Sequence, residues 1–380
     1  MVFGISYYGN HTMEINTIDM RPTLQKAFRT QNNIFLFALS GVYHLLITIR
    51  NRAFKKKILH IKKAPCKVIS IGNITVGGSG KTPVVCFLAQ RLHEKGIKVA
   101  IISRGYKRKG ANKCNPDNDT CLVSNENAIL VSPREAGDEP YMIAENCPGI
   151  PVIVGKDRYK GCLYAKNTFG TDIAILDDAY QHQYLYRDIN ILVINAHDPF
   201  GNKHVLPGGI LREPLTSIDR ADIILLNKIH CSDHLSTIDK IIRKYNLNAP
   251  IFKASYIIQR INALNDSGMM KKEISLQGKS ALVFSGIADP SSFINTIEEA
   301  GISVKKHLIF TDHHWYGAHD IDTILSHIEG IECVITTEKD SIKLKRYVHR
   351  FPIPLFTLTM HIHIVNGEDK FIDECLGLFT

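Results

Sequence analysis

No two of the nine cysteines (66, 86, 114, 121, 147, 162, 231, 333 and 375) stand at C-x-x-C spacing, and their number is odd. Neither a zinc ribbon nor a disulfide framework is indicated by that pattern. Cys114 and Cys121 are close enough in sequence to pair in a loop, but free thiols in a reducing compartment are the simpler expectation. The first twenty residues are polar and mixed, so no cleavable signal is expected. No repeat or low-complexity tract occurs. The longest apolar run, Ile34 to Ile49, has 16 residues with His44 inside it, short of the roughly 20 that span a bilayer. Acidic residues are in deficit, 37 against 46 Lys and Arg, for a net charge of +9. That balance points to an anionic partner, whether nucleic acid, membrane or a phosphorylated substrate.

What is present is enough for real cores: 380 residues, 44% of them hydrophobic, or about two domains on the usual prior of roughly 150 residues each. The most informative stretch runs from Cys66 to Arg91. Val68 to Ile71 reads as a buried parallel strand, Gly77, Gly78 and Gly80 as a tight turn, and an amphipathic helix follows Pro83. Strand, glycine-rich loop and helix together make a phosphate cradle. Backbone N–H groups of Thr75, Val76, Gly77, Gly78, Ser79 and Gly80 can surround phosphate oxygens, Lys81 can reach the β/γ-phosphates, and the Thr82 hydroxyl can ligate Mg²⁺. The general consensus would place Gly at 75, where this chain has Thr.

A second strand is expected at Lys98–Ser103, a polar loop over 107–128, a helix from Tyr141 after Gly137-Asp138-Glu139-Pro140, and a third strand at Val152–Val154. Asp172 to Leu176 then delivers Asp177 and Asp178 at a strand end, the form of the acidic motif that completes a phosphate-loop site through Mg²⁺. Two adjacent carboxylates would repel each other without a cation; a helix cap is the plainer alternative. Strands at Ile189–Asn195 and Asp222–Asn227 flank a glycine-containing loop ending in Arg212-Glu213-Pro214. Alternation of strands and helices to about residue 230 predicts a doubly wound, mostly parallel sheet with its site at the strand carboxyl ends. Asn227-Lys228-Ile229-His230 has His where a guanine-reading N-K-x-D would have Asp, which argues against guanine specificity.

The expected organisation is an extension over 1–30, an apolar and basic helix within 31–65, a nucleotide-binding domain over 66–250, a two-stranded connector over 251–277 and a smaller α/β lobe over 278–380. Ile34–Ile49 with the basic flank Arg50, Arg52, Lys55, Lys56, Lys57, Lys62 and Lys63 suits a helix lying in an anionic membrane surface; a core-packing helix is the alternative. Asp138 and Glu139 are readable as a helix N-terminus, the His313-His314 pair as a solvated loop, and Arg158 as a surface charge.

Eight motifs occur in the order seen in tetraacyldisaccharide 4'-kinases, the lipid A 4'-kinases of Gram-negative bacteria. They are Gly72–Pro83, Ser103-Arg104-Gly105-Tyr106, Gly137–Pro140, Leu176–His182, Leu211–Pro214, Ser285–Pro290, Asp312-His313-His314 and Thr337-Glu338-Lys339-Asp340. The chain resembles that family over about residues 30 to 350, and the family's Thr at the first loop position accounts for Thr75. Ala179-Tyr180 and Gln183 depart from the family's usual Gly-Phe and frequent Arg.

The resemblance implies two α/β/α lobes, the first of phosphate-loop NTPase type. It implies transfer of the γ-phosphate of ATP to the 4'-hydroxyl of an acylated glucosamine disaccharide 1-phosphate, giving lipid IV(A). The expected protein is a monomer without a nucleic-acid partner, peripheral on the cytoplasmic face of the inner membrane. It further implies Lys81 on the β/γ-phosphates, Mg²⁺ held by Thr82, Asp177, Asp178 and Glu139, and Asp138 as proton acceptor oriented by His313. Arg158, Arg212 and His182 would contact substrate phosphate or the transition state. A membrane-associated phosphate-loop ATPase acting as a switch is the competing reading from another class.

Overall fold

In the computed structural model, residues 16–20, 34–105, 120–229, 234–265, 268–270, 275–365, 367–377 and 379 are described. They fall into two units, one of residues 32–255 with 362–380, the other of residues 1–31 with 256–361. The first described element, β1 (Asn16–Asp19), belongs to the second unit.

The first unit opens with α1 (Ile34–Lys55), then β2 (Lys67–Gly72), α2 (Lys81–Glu94), β3 (Val99–Ser103) and β4 (Thr120–Ser124). It continues through α3 (Asp138–Asn146), β5 (Val152–Gly155), α4 (Arg158–Phe169), β6 (Ile173–Asp177), β7 (Ile189–Asn195), β8 (Ile223–Asn227), α5 (Leu235–Tyr245) and the start of β9 (Ile251–Asn265). Strand order is β4-β5-β3-β6-β2-β7-β8-β9, parallel throughout except for the β4 edge. β3, β5, β6 and β8 are buried at every residue, as uninterrupted Val and Ile runs must be when helices cover both faces. Each such side chain contributes about 1.5–3 kcal/mol at most.

This order puts the carboxyl ends of β2, β3 and β6 side by side. At the end of β2, a Cβ on Gly72 would come within 2.7 Å of Tyr180 Cβ and N, so only glycine lets the β2 end approach the turn after β6 so closely. β4 lies inside the stretch read as a polar loop. It is a short antiparallel edge whose Thr-Cys-Leu-Val-Ser is buried against β5, and polar neighbours conceal it in sequence. Cys121 on β4 is disulfide-bonded, against the expectation of free thiols; Cys66, Cys86, Cys147, Cys162, Cys333 and Cys375 are free, and Cys114 and Cys231 lie outside the described residues.

The second unit carries the rest of β9, β10 (Gly268–Met270), β11 (Ser280–Ser285), α6 (Pro290–Glu299), β12 (Ser303–Ile309), α7 (Ala318–Leu325), β13 (Cys333–Thr337), α8 (Glu338–Leu344) and β14 (Leu355–Ile364). Its parallel order is β1-β12-β11-β13-β14. The hairpin pairs Ala263–Asn265 of β9 with Gly268–Met270; within the expected two-stranded connector over 251–277, residues 271–274 lie outside the described residues. Residues 362–380, grouped by sequence with the smaller lobe, sit with the first unit. There α9 (Glu368–Gly377) places Phe371 against Phe87 and Phe252, and Glu368 pairs with Arg91.

Candidate functional site

The loop between β2 and α2 is held along its first limb by backbone. Val76 N–H donates to Ile210 O at 2.8 Å, Arg212 N–H to Ile74 O at 2.7 Å, and Thr75 bridges Leu211. Its second limb turns through Gly77 (φ 110°) and Gly80 (φ 76°). Gly80 precedes the first residue of α2, Lys81, so the N–H groups of that helix end point into the loop, as a phosphate cradle requires. Lys81 Nζ lies 3.5 Å from both Ser79 Oγ and Asp178 Oδ1. Thr82 is the next residue of the same turn.

The two acids after β6 have opposite environments. Asp177 is 2% exposed. Burial first, then the Glu139 and Asp178 carboxylates, push its carboxyl up to about 7, although Lys81 and a hydrogen bond from Ser103 Oγ (3.1 Å) act the other way. Asp178 stands at φ 47°. Burial would raise its carboxyl, but Lys81 and Arg212 outweigh that and hold it below the usual carboxylate range. Arg212 Nη1 reaches both its oxygens, at 3.0 and 2.9 Å. The repulsion expected of adjacent aspartates is therefore eased by two cations on Asp178 and a raised proton affinity at Asp177.

Asp138 and Glu139 open α3 behind Gly137 (φ 93°); Glu139 is near enough to raise Asp177. The helix thus starts three residues before the expected Tyr141. Among the described residues no group of three His, Cys, Asp or Glu closes into a metal cage. Asp177, Asp178 and Glu139 do not form one, and a cation here would depend on ligands brought by a nucleotide, as Mg²⁺ commonly does.

Arg158 is not a surface charge. It is 4% exposed at the first turn of α4, whose cap is Asp157, which accepts from Tyr159 N–H at 2.9 Å. Its Nη1 donates to Lys156 O at 3.2 Å and its Nε has no hydrogen-bond partner. Burial first, then Arg104, lower it, against Asp177 and Asp178. His182 is pulled down to about 4 by burial and then by Arg158 and Arg187. At neutral pH it is an uncharged donor and acceptor, not a cation.

Four polar residues that the sequence reading did not assign belong here. Ser103 holds Asp177, and Gln181 Nε2 donates to Asn73 O at 2.7 Å. Asn227 Nδ2 donates to Ser79 O at 3.0 Å and Lys228 Nζ to Gly78 O at 2.9 Å. The last two stand at the first two positions of the N-K-x-D pattern.

Glu213 is fully buried, accepting from Arg50 Nη2 at 2.5 Å and from Arg220. It ties the Arg212 loop to α1. Ser40, Tyr43 and Asn51 add hydrogen bonds to Val205 O, Arg212 O and Ser217 Oγ. The opposite side of α1 exposes Val42 (58%), Leu45 (58%), Leu46 (60%) and Ile49 (54%). No described helix is long and apolar enough to cross a membrane.

In the second unit, His313 follows β12 at φ 62°. Its N–H donates to Gly286 O at 3.2 Å, and Lys339 Nζ lies 3.3 Å from its Nε2 and 2.8 Å from Asp312 Oδ1. His314 stacks on Phe310 and meets Asp320 at 3.1 Å, so the vicinal pair divides into one packed ring and one held beside a cation. His313 and Asp138 belong to different units.

The family model described as "Tetraacyldisaccharide-1-P 4'-kinase" matches residues 32–377. Curated proteins named tetraacyldisaccharide 4'-kinase are similar over most of their length. That of Halothermothrix orenii is 36% identical over 330 residues, covering 83% of this chain and 84% of its own. That of Chlorobium limicola is 37% identical over 341 residues, covering 87% and 93%. Among solved structures, the "apo" form of LpxK from Aquifex aeolicus in complex with ATP superposes with a TM-score of 0.69 at 34% identity, covering 90% of this chain and 98% of that one.

Proposed function

The chain belongs to the tetraacyldisaccharide 4'-kinase family, and from that premise we propose how its residues divide the work of moving the γ-phosphate of ATP to the 4'-hydroxyl of a tetraacyldisaccharide 1-phosphate. The observation that carries the assignment is the convergence of Lys81 and Arg212 on Asp178, next to the buried Asp177, at the mouth of the phosphate loop. Phosphoryl transfer asks a protein for positioning and charge neutralisation more than for covalent chemistry. Lys81 and the N–H groups at the start of α2 bind the β/γ-phosphates; among the loop positions expected to donate, the Val76 and Ser79 N–H groups are instead taken by Ile210 O and Gly77 O. Asp138 accepts the hydroxyl proton. Arg212, parked on Asp178 in the resting site, and Arg158, a buried cation with an unbonded Nε, are the cations for the transferring group. His182, neutral at pH 7, donates a hydrogen bond to substrate.

The residues suit a divalent cation: Thr82 with Asp177, Asp178 and Glu139 would supply oxygen ligands, and after burial the Glu139 and Asp178 carboxylates raise Asp177 further. When bound, Mg²⁺ neutralises charge on the β- and γ-phosphate oxygens. A pH dependence follows. Because the folded Asp177 carboxyl titrates near 7, above its ordinary value, a proton must be displaced below that pH. Mg²⁺-dependent ATP binding should weaken by up to about tenfold per unit as pH falls from 7 to 5. Titrations of Asp177→Asn should be weak and flat over that range; an equally steep variant would exclude Asp177 as the linked group.

His313 is proposed to orient Asp138. Kinetics can decide: the double variant Asp138→Ala with His313→Ala should be no slower than Asp138→Ala alone, and fully additive losses would separate the two residues.

The exposed apolar side of α1, with Arg52, Lys55, Lys56 and Lys57 at and beyond its end, supports a peripheral position on the cytoplasmic face of the inner membrane. Leu45→Glu with Leu46→Glu should weaken binding to phosphatidylglycerol vesicles at least about tenfold and leave ATP binding intact. Retained vesicle binding would remove α1 from the membrane contact. The reaction itself is tested by transfer of ³²P from γ-labelled ATP to detergent-dispersed tetraacyldisaccharide 1-phosphate. ATP hydrolysis with no labelled lipid would favour the ATPase switch instead.

A further inference from the structure

We propose that Asn227 and Lys228, at the end of β8, form a positioning grip on the second limb of the phosphate loop and thereby set its affinity for ATP. The inference rests on the reading of residues 75–82 as the nucleotide site. Asn227 is fully buried; its Oδ1 accepts the Lys228 N–H at 2.9 Å, and its Nδ2 donates to Ser79 O at 3.0 Å. The two bonds fix which way the amide faces, since only the oxygen accepts and only the nitrogen donates. Lys228 is 8% exposed, and its ammonium donates to the preceding carbonyl, Gly78 O, at 2.9 Å, a charge-assisted bond of the stronger kind.

Two consecutive carbonyls held from one side fix two consecutive peptide planes. In a planar trans peptide the N–H points opposite to the C=O, so the orientations of the Ser79 and Gly80 N–H groups are fixed as well. The Ser79 N–H closes on Gly77 O at 3.0 Å, and the Gly80 peptide leads into α2. The first limb is already held by Ile210 and Leu211. A segment with glycine at 77, 78 and 80 loses more conformational freedom on ordering than any other composition would. If the fold does the ordering, the ligand need not.

The backbone of Lys228 makes the same point independently. Its φ is 61°, a left-handed conformation that glycine adopts freely and a lysine does not. A lysine kept there is kept for its side chain.

Lys228→Gly separates the two contributions, because it relieves the backbone and deletes the ammonium. On the full chain we expect a melting temperature equal to or above that of the parent, an ATP dissociation constant and KM raised about tenfold or more, a much smaller change in kcat, and partial recovery in Lys228→Arg. Unchanged ATP affinity in Lys228→Gly overturns the grip. So does a parallel fall of melting temperature, kcat and affinity, which marks a residue that supports only the fold. Lys81→Ala is the control in the same calorimetric titration. If it weakens ATP binding and Lys228→Gly does not, the grip alone fails; if neither does, the nucleotide-site reading fails and the grip with it.

Discussion

Asp138→Asn should lower kcat by about two to four orders of magnitude, the usual contribution of a positioned general base, while ATP affinity measured by calorimetry stays close to that of the parent enzyme. The substitution keeps size and helix-start geometry and removes only the ability to take a proton. A residue serving as part of a helix N-terminus would behave differently. Gly137 is the cap and Asp138 the first helical residue, so its charge there is worth about 0.3–1 kcal/mol; the melting temperature would fall slightly and kcat would not move. Surviving activity would therefore return Asp138 to a structural role.

It would not pass the role to Asp178. Lys81 and Arg212 hold that carboxylate below its usual range, and a group so stabilised in its charged form is a poor proton acceptor. Asp177 has the better proton affinity, at about 7, but it is 2% exposed and engaged by Ser103.

That division between the aspartates was not legible in the sequence. Their proximity was, because both follow one buried strand, and so was the need for a compensating cation. Which acid receives it depends on Lys81, far upstream, and on Arg212, on a loop that returns across Ile74, and no local pattern encodes either contact. The phosphate loop itself was legible because its strand, turn and helix are contiguous and each has its own residue chemistry. The departures from the family's usual residues also find their reasons only in three dimensions. The Tyr180 hydroxyl reaches Ser217 O at 2.7 Å beneath the Arg220 guanidinium, and Gln183 donates to Asn51 at 2.7 Å. Gln183 thus ties the acidic turn to α1, and Tyr180 ties it to the turn after Pro214.

α1 shows the limit of reading hydropathy along a line. Ile34–Ile49 looks like a nearly continuous apolar run, which suits a core helix or a membrane-lying one equally. The structure anchors the helix through its few polar side chains, Ser40, Tyr43, Arg50 and Asn51, and turns much of the apolar set outward. A helix packed on a protein core does the reverse.

The buried Glu213 at the centre of that contact carries a large expected effect on stability. Glu213→Ala should destabilise the first unit by about 3 kcal/mol, the lower end of the range for removing one partner of a buried ion pair. The lower end applies because Arg50 and Arg220 remain 31% and 20% exposed, and water can partly resolvate them. For a unit of this size that is a fall in melting temperature of about 6–12 °C. Glu213→Gln keeps the volume and one accepting oxygen, but Arg50 and Arg220 use different carboxylate oxygens and one of them would then face an NH2, so it should lose only somewhat less.

The same change should reach the chemistry. Glu213 follows Arg212 in the chain, so freeing it loosens the loop that carries the Asp178 contact, and turnover per folded molecule should drop even below the new melting transition. Thermal scans of both variants, with activity read well under each transition, separate the two effects. A Glu213→Ala protein that melts within a degree or two of the parent would mean that the buried carboxylate contributes little beyond its own desolvation, and that the hydrogen bonds of Ser40, Tyr43 and Asn51 suffice to seat α1.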